Sequence, residues 1–127
     1  MITEDYVSHE VAKLLKDKGF LKGVDLRYTQ NLSYYDSIGL HHNLNEDYNS
    51  LILDKIDFVV APTLQMACKW LREIYNIDIL PQVYYLHVKC YRCMITNGVE
   101  TITLQEPKFS YEKAVETAIK YCLENLI

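Results

Sequence analysis

The chain has 127 residues, of which 50% are hydrophobic and 24% are charged; this fits one globular domain with its own core and excludes a disordered chain. Its net charge of -4 comes from residues 31 to 57, so there is no basic excess that would draw it to phosphate backbones. The first residues lack the apolar run of a secretory signal, and no stretch is apolar enough to span a bilayer. We therefore expect a cytoplasmic protein with no membrane partner.

The pattern of residues 3 to 18 predicts a first α-helix, because apolar residues recur on one helical face. These residues are Val7, Val11, Leu14 and Leu15. Either Thr3 or Ser8 can cap the start of this helix. Gly19 is expected to end it in the left-handed conformation, with Phe20 folding back on the last turn.

Residues 24 to 60 show weaker patterns. Alternation predicts a strand at 24–29, and residues 32–35 can continue or pair with it. The polar, asparagine-rich stretch at 39–50 is expected to be an exposed loop. Short apolar runs follow at 51–53 and 58–60, and the second is expected to lead as a strand into the next helix.

Residues 61 to 76 predict the central core helix. Pro62 and Thr63 are start signals, and Asn76 can end the helix in the left-handed conformation. The expected buried face is Leu64, Ala67, Cys68, Leu71, Ile74 and Tyr75, and Trp70 is expected beside it as an anchor rather than a cofactor ligand.

Residues 77–80 predict a short extended segment that Pro81 ends, and residues 82–96 predict one long strand. Along that strand Tyr84, Leu86, Val88 and Cys90 are expected to face the core, and Tyr85, His87, Lys89 and Tyr91 to face outward. Asn97-Gly98 predicts a two-residue type I′ turn, in which both residues have positive φ. Residues 99–104 then return as the partner strand.

The last predicted helix covers residues 110 to 126. Ser110 is a good N-cap and Phe109 is placed to pack on the first turns. The expected buried stripe is Tyr111, Ala114, Val115, Ala118, Ile119, Cys122 and Leu126.

Three patterns suggest metal or catalytic chemistry, and each favours a structural interpretation. Cys90 and Cys93 form a C-x-x-C pair, but residues three apart on a strand point to opposite faces, which does not suit zinc or a redox disulfide. Residues 43–54 follow the spacing of a calcium loop, yet Tyr48 replaces the required glycine. The histidines, among them His41-His42, are not set in any catalytic motif. We expect no catalytic residue, no metal site and no cofactor, and so no enzyme.

The candidate interaction surface is Tyr85, His87, Lys89, Tyr91 and Arg92, which interleaves aromatic and basic groups. Tyrosine offers contact area at low entropic cost, which suits binding of a protein partner. The alternative is a nucleic-acid-binding protein that stacks bases on the same tyrosines. A homodimer through Tyr121, Leu123 and Ile127, on the outer side of the last helix, is compatible with the first hypothesis.

Parts of this sequence resemble a group of small uncharacterised phage and prophage proteins of gut bacteria. The resemblance lies in the Ala-Pro-Thr-led tryptophan helix at 61–73 with Tyr75-Asn76-Ile77, in residues 109–116, and in the opening 6–20 with Gly19-Phe20. It implies a mobile-element origin rather than an activity, because it supplies no catalytic or ligand residue to carry over.

We therefore expect a single α+β domain over residues 1–127. Its twisted antiparallel sheet is centred on the long 82–96/99–104 hairpin, with the helices at 63–75 and 110–126 on one face and the 3–18 helix beside them. The predicted function is that of a non-enzymatic phage or prophage accessory protein acting through protein–protein contacts.

Overall fold

The computed structural model describes residues 5–20, 32–35, 39–41 and 59–127. These residues fall into two compact units, which divide the chain between Thr63 and Leu64. Each unit combines helix with a three-stranded antiparallel sheet. The α+β class is therefore confirmed, while a single domain over the whole chain stays a prediction, as does the placement of the first helix beside the other two.

The first unit is a short sheet with one helix. Its elements are α1 (His9–Asp17), β1 (Leu32–Tyr35), β2 (Leu40–His41) and β3 (Val59–Pro62), and the strand order is β2-β1-β3. The predicted strands at 32–35 and 58–60 are confirmed in β1 and β3. The sequence predicts a loop at Leu40 and His41, but these residues pair with Tyr35 and Tyr34 of β1. The predicted strands at 24–29 and 51–53, the proposed calcium loop and most of the 39–50 loop lie outside the described residues.

Helix α1 begins at His9 and not at Thr3. Ser8 is its N-cap, with the Ser8 hydroxyl accepting a bond from the Val11 N–H at 3.3 Å. Ahead of Ser8 the backbone pairs with the end of β3, where the Val7 N–H donates to the Pro62 carbonyl at 3.0 Å. This pairing satisfies backbone groups that a longer helix would have used. The predicted end is confirmed, since Gly19 has a φ of 84° and Phe20 is buried.

The second unit carries the candidate surface. Its elements are α2 (Leu64–Tyr75), β4 (Asp78–Leu86), β5 (Val88–Thr96), β6 (Thr101–Thr103) and α3 (Tyr111–Asn125), and the strand order is β4-β5-β6. Helix α2 contacts β4, and α3 contacts both β4 and β5. None of the helices in the described ranges is long and apolar enough to cross a membrane.

Helix α2 confirms the predicted core helix with two corrections. It starts at Leu64, because Pro62 is the last residue of β3 rather than the first helical residue. Its buried residues include Trp70, whereas Ile74 is exposed. Asn76 ends the helix with a φ of 54°, as predicted.

The predicted strand 82–96 is wrong, because the chain reverses inside it at His87. Strand β4 runs from Asp78 through Pro81 to Leu86, and β5 runs back from Val88 with Leu86 opposite Val88. Pro81 does not end the strand, since β4 is an outer strand of this sheet and an outer strand tolerates a missing N–H. The sequence does not predict the resulting β4–β5 hairpin, whereas the predicted hairpin around Asn97-Gly98 is present between β5 and β6.

The Asn97-Gly98 turn is confirmed, but it is not a two-residue type I′ turn. Thr96 pairs with Thr101, so four residues form the loop, and only Gly98 among them has a positive φ, of 89°. The Asn97 side-chain oxygen accepts bonds from the N–H groups of Val99 and Glu100 at 2.9 and 2.8 Å. This side chain closes a wider turn than the dipeptide alone predicts. The returning strand is correspondingly shorter, Thr101–Thr103 in place of 99–104.

Helix α3 begins where predicted, with the Ser110 hydroxyl accepting a bond from the Lys113 N–H at 3.1 Å. The central part of the expected stripe is buried: Ala114, Val115, Ala118, Ile119 and Cys122. Tyr111 and Leu126, at its two ends, are exposed, and so is Phe109. Leu123 is buried, so it cannot be part of an outer dimer surface as predicted.

Candidate interaction surface

The far end of the β4–β5 hairpin exposes large apolar side chains. We call residues 83–89 the hairpin tip. Within it Tyr85 is 70% exposed, Leu86 55%, Val88 54% and Val83 52%. Four such side chains in one short segment are unusual, because a folded chain normally leaves single apolar residues scattered over its surface. The hairpin tip thus concentrates exposed apolar side chains in one short segment.

The hairpin register decides which side chains share a face. Residues directly opposite in an antiparallel pair lie on the same side of the sheet. Tyr85 faces Lys89, and Val83 faces Tyr91. We call these four residues the tyrosine face. The Lys89 ammonium lies 5.5 Å from the centre of the Tyr91 ring, and the Tyr111 ring of α3 meets Tyr91 edge-on at 6.1 Å.

The opposite side of the hairpin carries the other cation. Arg92 faces Gln82, Leu86 faces Val88, and Tyr84 lies on the same side. We call these five residues the arginine face. The Arg92 guanidinium lies 4.6 Å from the centre of the Tyr84 ring, and its Nε–H donates to the Gln82 side-chain oxygen at 3.3 Å. A guanidinium that is stacked and hydrogen-bonded samples fewer conformations than one that is free in solvent.

The structure brings together three of the five predicted surface residues. Tyr85, Lys89 and Tyr91 share the tyrosine face. His87 is the turn itself, with a φ of 67°, and Arg92 belongs to the arginine face. Sequence reasoning misses Val83 and also Leu86 and Val88, which it assigns to the core. No glycine or asparagine at 86–88 signals the turn that exposes them.

The cysteines lie in the interior of the second unit. Cys90 and Cys93 are both buried on β5, and the strand carries them to opposite faces as predicted. Burial raises the pKa of Cys68 and of Cys93 to about 11, and that of Cys122 to about 12. The neighbouring Cys68 raises the last two further. At neutral pH these three side chains are therefore protonated thiols rather than reactive thiolates.

One cavity of about 340 Å³ lies between α3 and the segment after β6. Arg92 and Cys93 of β5 also line it, and its charged residues are three bases and two acids: Arg92, Lys108, Lys120, Glu106 and Glu124. Lys108 Nζ lies 3.3 Å from Glu106 Oε1, so part of this charge is paired.

In the described part of the chain no three His, Cys, Asp or Glu residues are grouped to hold a metal ion. Compared with family models, with curated proteins and with solved structures, the chain matches none.

Proposed function

We propose that this protein is a non-enzymatic interaction module that binds a partner protein through its hairpin tip. The observation that carries the proposal is the exposure of Val83, Tyr85, Leu86 and Val88 in one short segment. Burying this apolar surface against a partner removes it from water, at roughly 25 cal/mol per Å² of apolar area. Aromatic residues with few charges are also the composition of interface centres.

The exposed residues lie on both sides of the hairpin. Val83 and Tyr85 are on the tyrosine face, while Leu86 and Val88 are on the arginine face. A flat contact would cover one face and leave the other in water. A hairpin inserted into a cleft buries both, so the proposed mode of binding is insertion of the tip.

Nucleic acid is the second candidate, and the ring contacts favour it less. Bases stack on open aromatic faces. Here the Lys89 ammonium lies over the Tyr91 ring, and the Arg92 guanidinium lies over the Tyr84 ring. Tyr85 remains the most exposed ring of the hairpin tip. Exposed aliphatic side chains beside it suit a protein surface better than a phosphate backbone.

The cellular setting of the proposal is a phage or prophage, where the protein serves as an accessory factor. Its support is the resemblance of the tryptophan helix and of the two terminal helices described above.

Capture from host lysate tests the proposal, with tagged wild type compared with Leu86→Glu. Val99→Glu is the matched control, because Val99 is 91% exposed on the same sheet but at the opposite end of β5. We expect a discrete protein that survives high salt, is retained by wild type and the control, and is lost from Leu86→Glu.

Two results would contradict the proposal. One is capture of the same proteins by wild type and Leu86→Glu. The other is recovery of nucleic acid that added salt releases, since counterion release makes such binding steeply salt-dependent.

A further inference from the structure

The β4–β5 hairpin contains no acidic residue beyond Asp78, the first residue of β4, although the whole chain is acidic. No Asp or Glu occurs between Asp78 and Glu100, whereas the net charge of the chain is -4. Lys89 and Arg92 are the cations of this stretch, and His87 stands at the turn between the strands. The hairpin tip thus combines exposed apolar side chains with basic formal charges from its own strands, and two acids from outside the hairpin, Glu106 and Glu124, line a cavity with Arg92.

The two cations occupy fixed places on opposite sides of the hairpin. Lys89 is exposed on the tyrosine face, and Tyr91 raises its pKa above the ordinary value, chiefly through a side-chain hydrogen bond. Arg92 is anchored by Tyr84 and Gln82 on the arginine face, and its guanidinium carries further N–H donors beyond the Nε–H. An inserted tip would therefore present one cation to each wall of a cleft.

This charge pattern favours one kind of binding partner for the hairpin tip over others. A second copy of the chain at the same surface would bring Lys89 and Arg92 against the same cations, with no acid for either. A single strand of nucleic acid would pair with the cations but would leave Val83 and Leu86 against a charged backbone. A protein surface that is apolar at its floor and carboxylate-bearing at its rim satisfies both kinds of group.

We infer that the partner of the hairpin tip is a protein cleft or extended peptide with an apolar floor and Asp or Glu side chains on both sides. One carboxylate pairs with Lys89 and another with Arg92, while the floor covers Val83, Tyr85, Leu86 and Val88. This inference rests on the proposed function, because it names the chemistry of the partner at that same surface.

Selection of random peptides displayed on phage, against the immobilised full chain, tests the inference and needs no identified partner. We expect the enriched peptides to combine aliphatic or aromatic residues with Asp or Glu. Their dissociation constants should be about tenfold or more higher for the double variant Lys89→Glu/Arg92→Gln than for wild type, because that variant loses both charge pairs with the partner. Lys89→Glu alone, at an exposed position, should weaken binding in the same direction without endangering the fold.

The matched control is Lys69→Glu with Lys113→Glu, which replaces two exposed lysines on the helices and changes the net charge at least as much. Binding of the enriched peptides should be unchanged in this control. A tenfold loss there as well would overturn the inference, because total charge rather than the hairpin cations would be responsible.

The outcomes separate the inference from the proposed function. Uncharged or basic peptides that lose binding on Leu86→Glu would overturn the acidic partner and leave the interaction surface standing. If the enriched peptides bind Leu86→Glu and wild type with equal affinity, or if no peptide is enriched, both the acidic partner and the interaction surface would be overturned. If an oligothymidylate binds more tightly than any peptide, the partner is nucleic acid rather than an acidic protein. If sedimentation shows a dimer that Leu86→Glu dissociates, the partner is a second copy of the chain.

Discussion

Cys68, Cys93 and Cys122 stand on three different elements of the second unit; Cys93 and Cys122 are buried, and Cys68 is partly buried. Removal from water disfavours a thiolate, which is why their pKa values lie at about 11 to 12 against an ordinary 9.0. Small, protonated and enclosed, they behave as apolar side chains. At the scale of the residue, these cysteines therefore contribute apolar packing to the interior of the second unit.

This assignment predicts how stability depends on pH. Above pH 9 the unfolded chain loses thiol protons, while the folded chain keeps them until pH 11 to 12. The contribution of these thiols to stability should therefore be complete below pH 9. Above pH 9 the free energy of unfolding should fall, by at most about 1.4 kcal/mol per pH unit for each thiol. Urea unfolding at successive pH values measures this slope.

Cys122→Ala provides the comparison, since it removes one of the three thiols and should flatten the fall above pH 9. An unchanged slope would show that Cys122 does not contribute. A thiol-specific disulfide reagent gives a second readout at neutral pH, where Cys93 and Cys122 should react only after unfolding. Rapid reaction of these two thiols in the folded protein would contradict their protonated, buried state.

At the scale of the element, the β4–β5 hairpin turns on a single residue with an unusual backbone. His87 has a φ of 67°, between Leu86 and Val88, which face each other. Histidine is one of the side chains found more often than most in this left-handed region, but it still costs free energy there. The turn therefore depends on the pairing of nine residues in each strand.

Substitution of His87 tests this turn. His87→Gly removes the steric conflict of a side chain at positive φ, so the free energy of unfolding should stay unchanged or rise by up to about 1 kcal/mol. His87→Val places a β-branched side chain at the same φ and should lower it by about 1–2 kcal/mol. Urea unfolding of the two variants and the wild type is the measurement.

Val99 supplies the control, because Val99→Gly and Val99→Thr change an exposed loop residue that lacks a positive φ. At Val99 the glycine and the β-branched variant should not change the free energy of unfolding in opposite directions, as they are expected to do at His87. If His87→Val proves as stable as His87→Gly, the chain does not reverse at His87, and a continuous strand from 82 to 96 would be favoured again.

Local signals in the sequence are sufficient for some elements. Ser110 caps α3 and Asn76 ends α2 because both act through hydrogen bonds or backbone preferences within a few residues. The helical pattern places the start of α1 too early, because Val7 forms a long-range bond to Pro62 that no local pattern contains. Such pairings depend on the whole fold.

The candidate surface follows from the sequence only in part, for the same reason. Alternation along one strand places Tyr85, Lys89 and Tyr91 together, and the hairpin register keeps them together across its two strands. Leu86 and Val88 are apolar and hence expected in the core, but the turn at His87 carries them to the end of the hairpin. Whether an apolar residue is exposed depends on how the strands are connected, and the local sequence pattern does not predict that connection.

At the scale of the whole molecule, the hairpin tip differs from the rest of the chain in both polarity and charge. The chain carries a net charge of -4, and the stretch between Asp78 and Glu100 has only basic formal charges. Among the described residues, seven large apolar side chains are half exposed or more, and the hairpin tip contributes four of them: Val83, Tyr85, Leu86 and Val88, against Ile74, Val99 and Phe109 elsewhere. A surface of this kind is expected where another molecule binds.

The most direct test of binding through the hairpin tip is photocross-linking in host cells with a photoreactive phenylalanine analogue at Tyr85, and at Val99 as the matched position. Tyr85 is 70% exposed at the hairpin tip, and Val99 is 91% exposed at the other end of the sheet. We expect a discrete protein adduct from position 85 that is absent from position 99. Equal adducts from both positions, an adduct with nucleic acid, or none from position 85 would contradict binding of a protein partner at the tip.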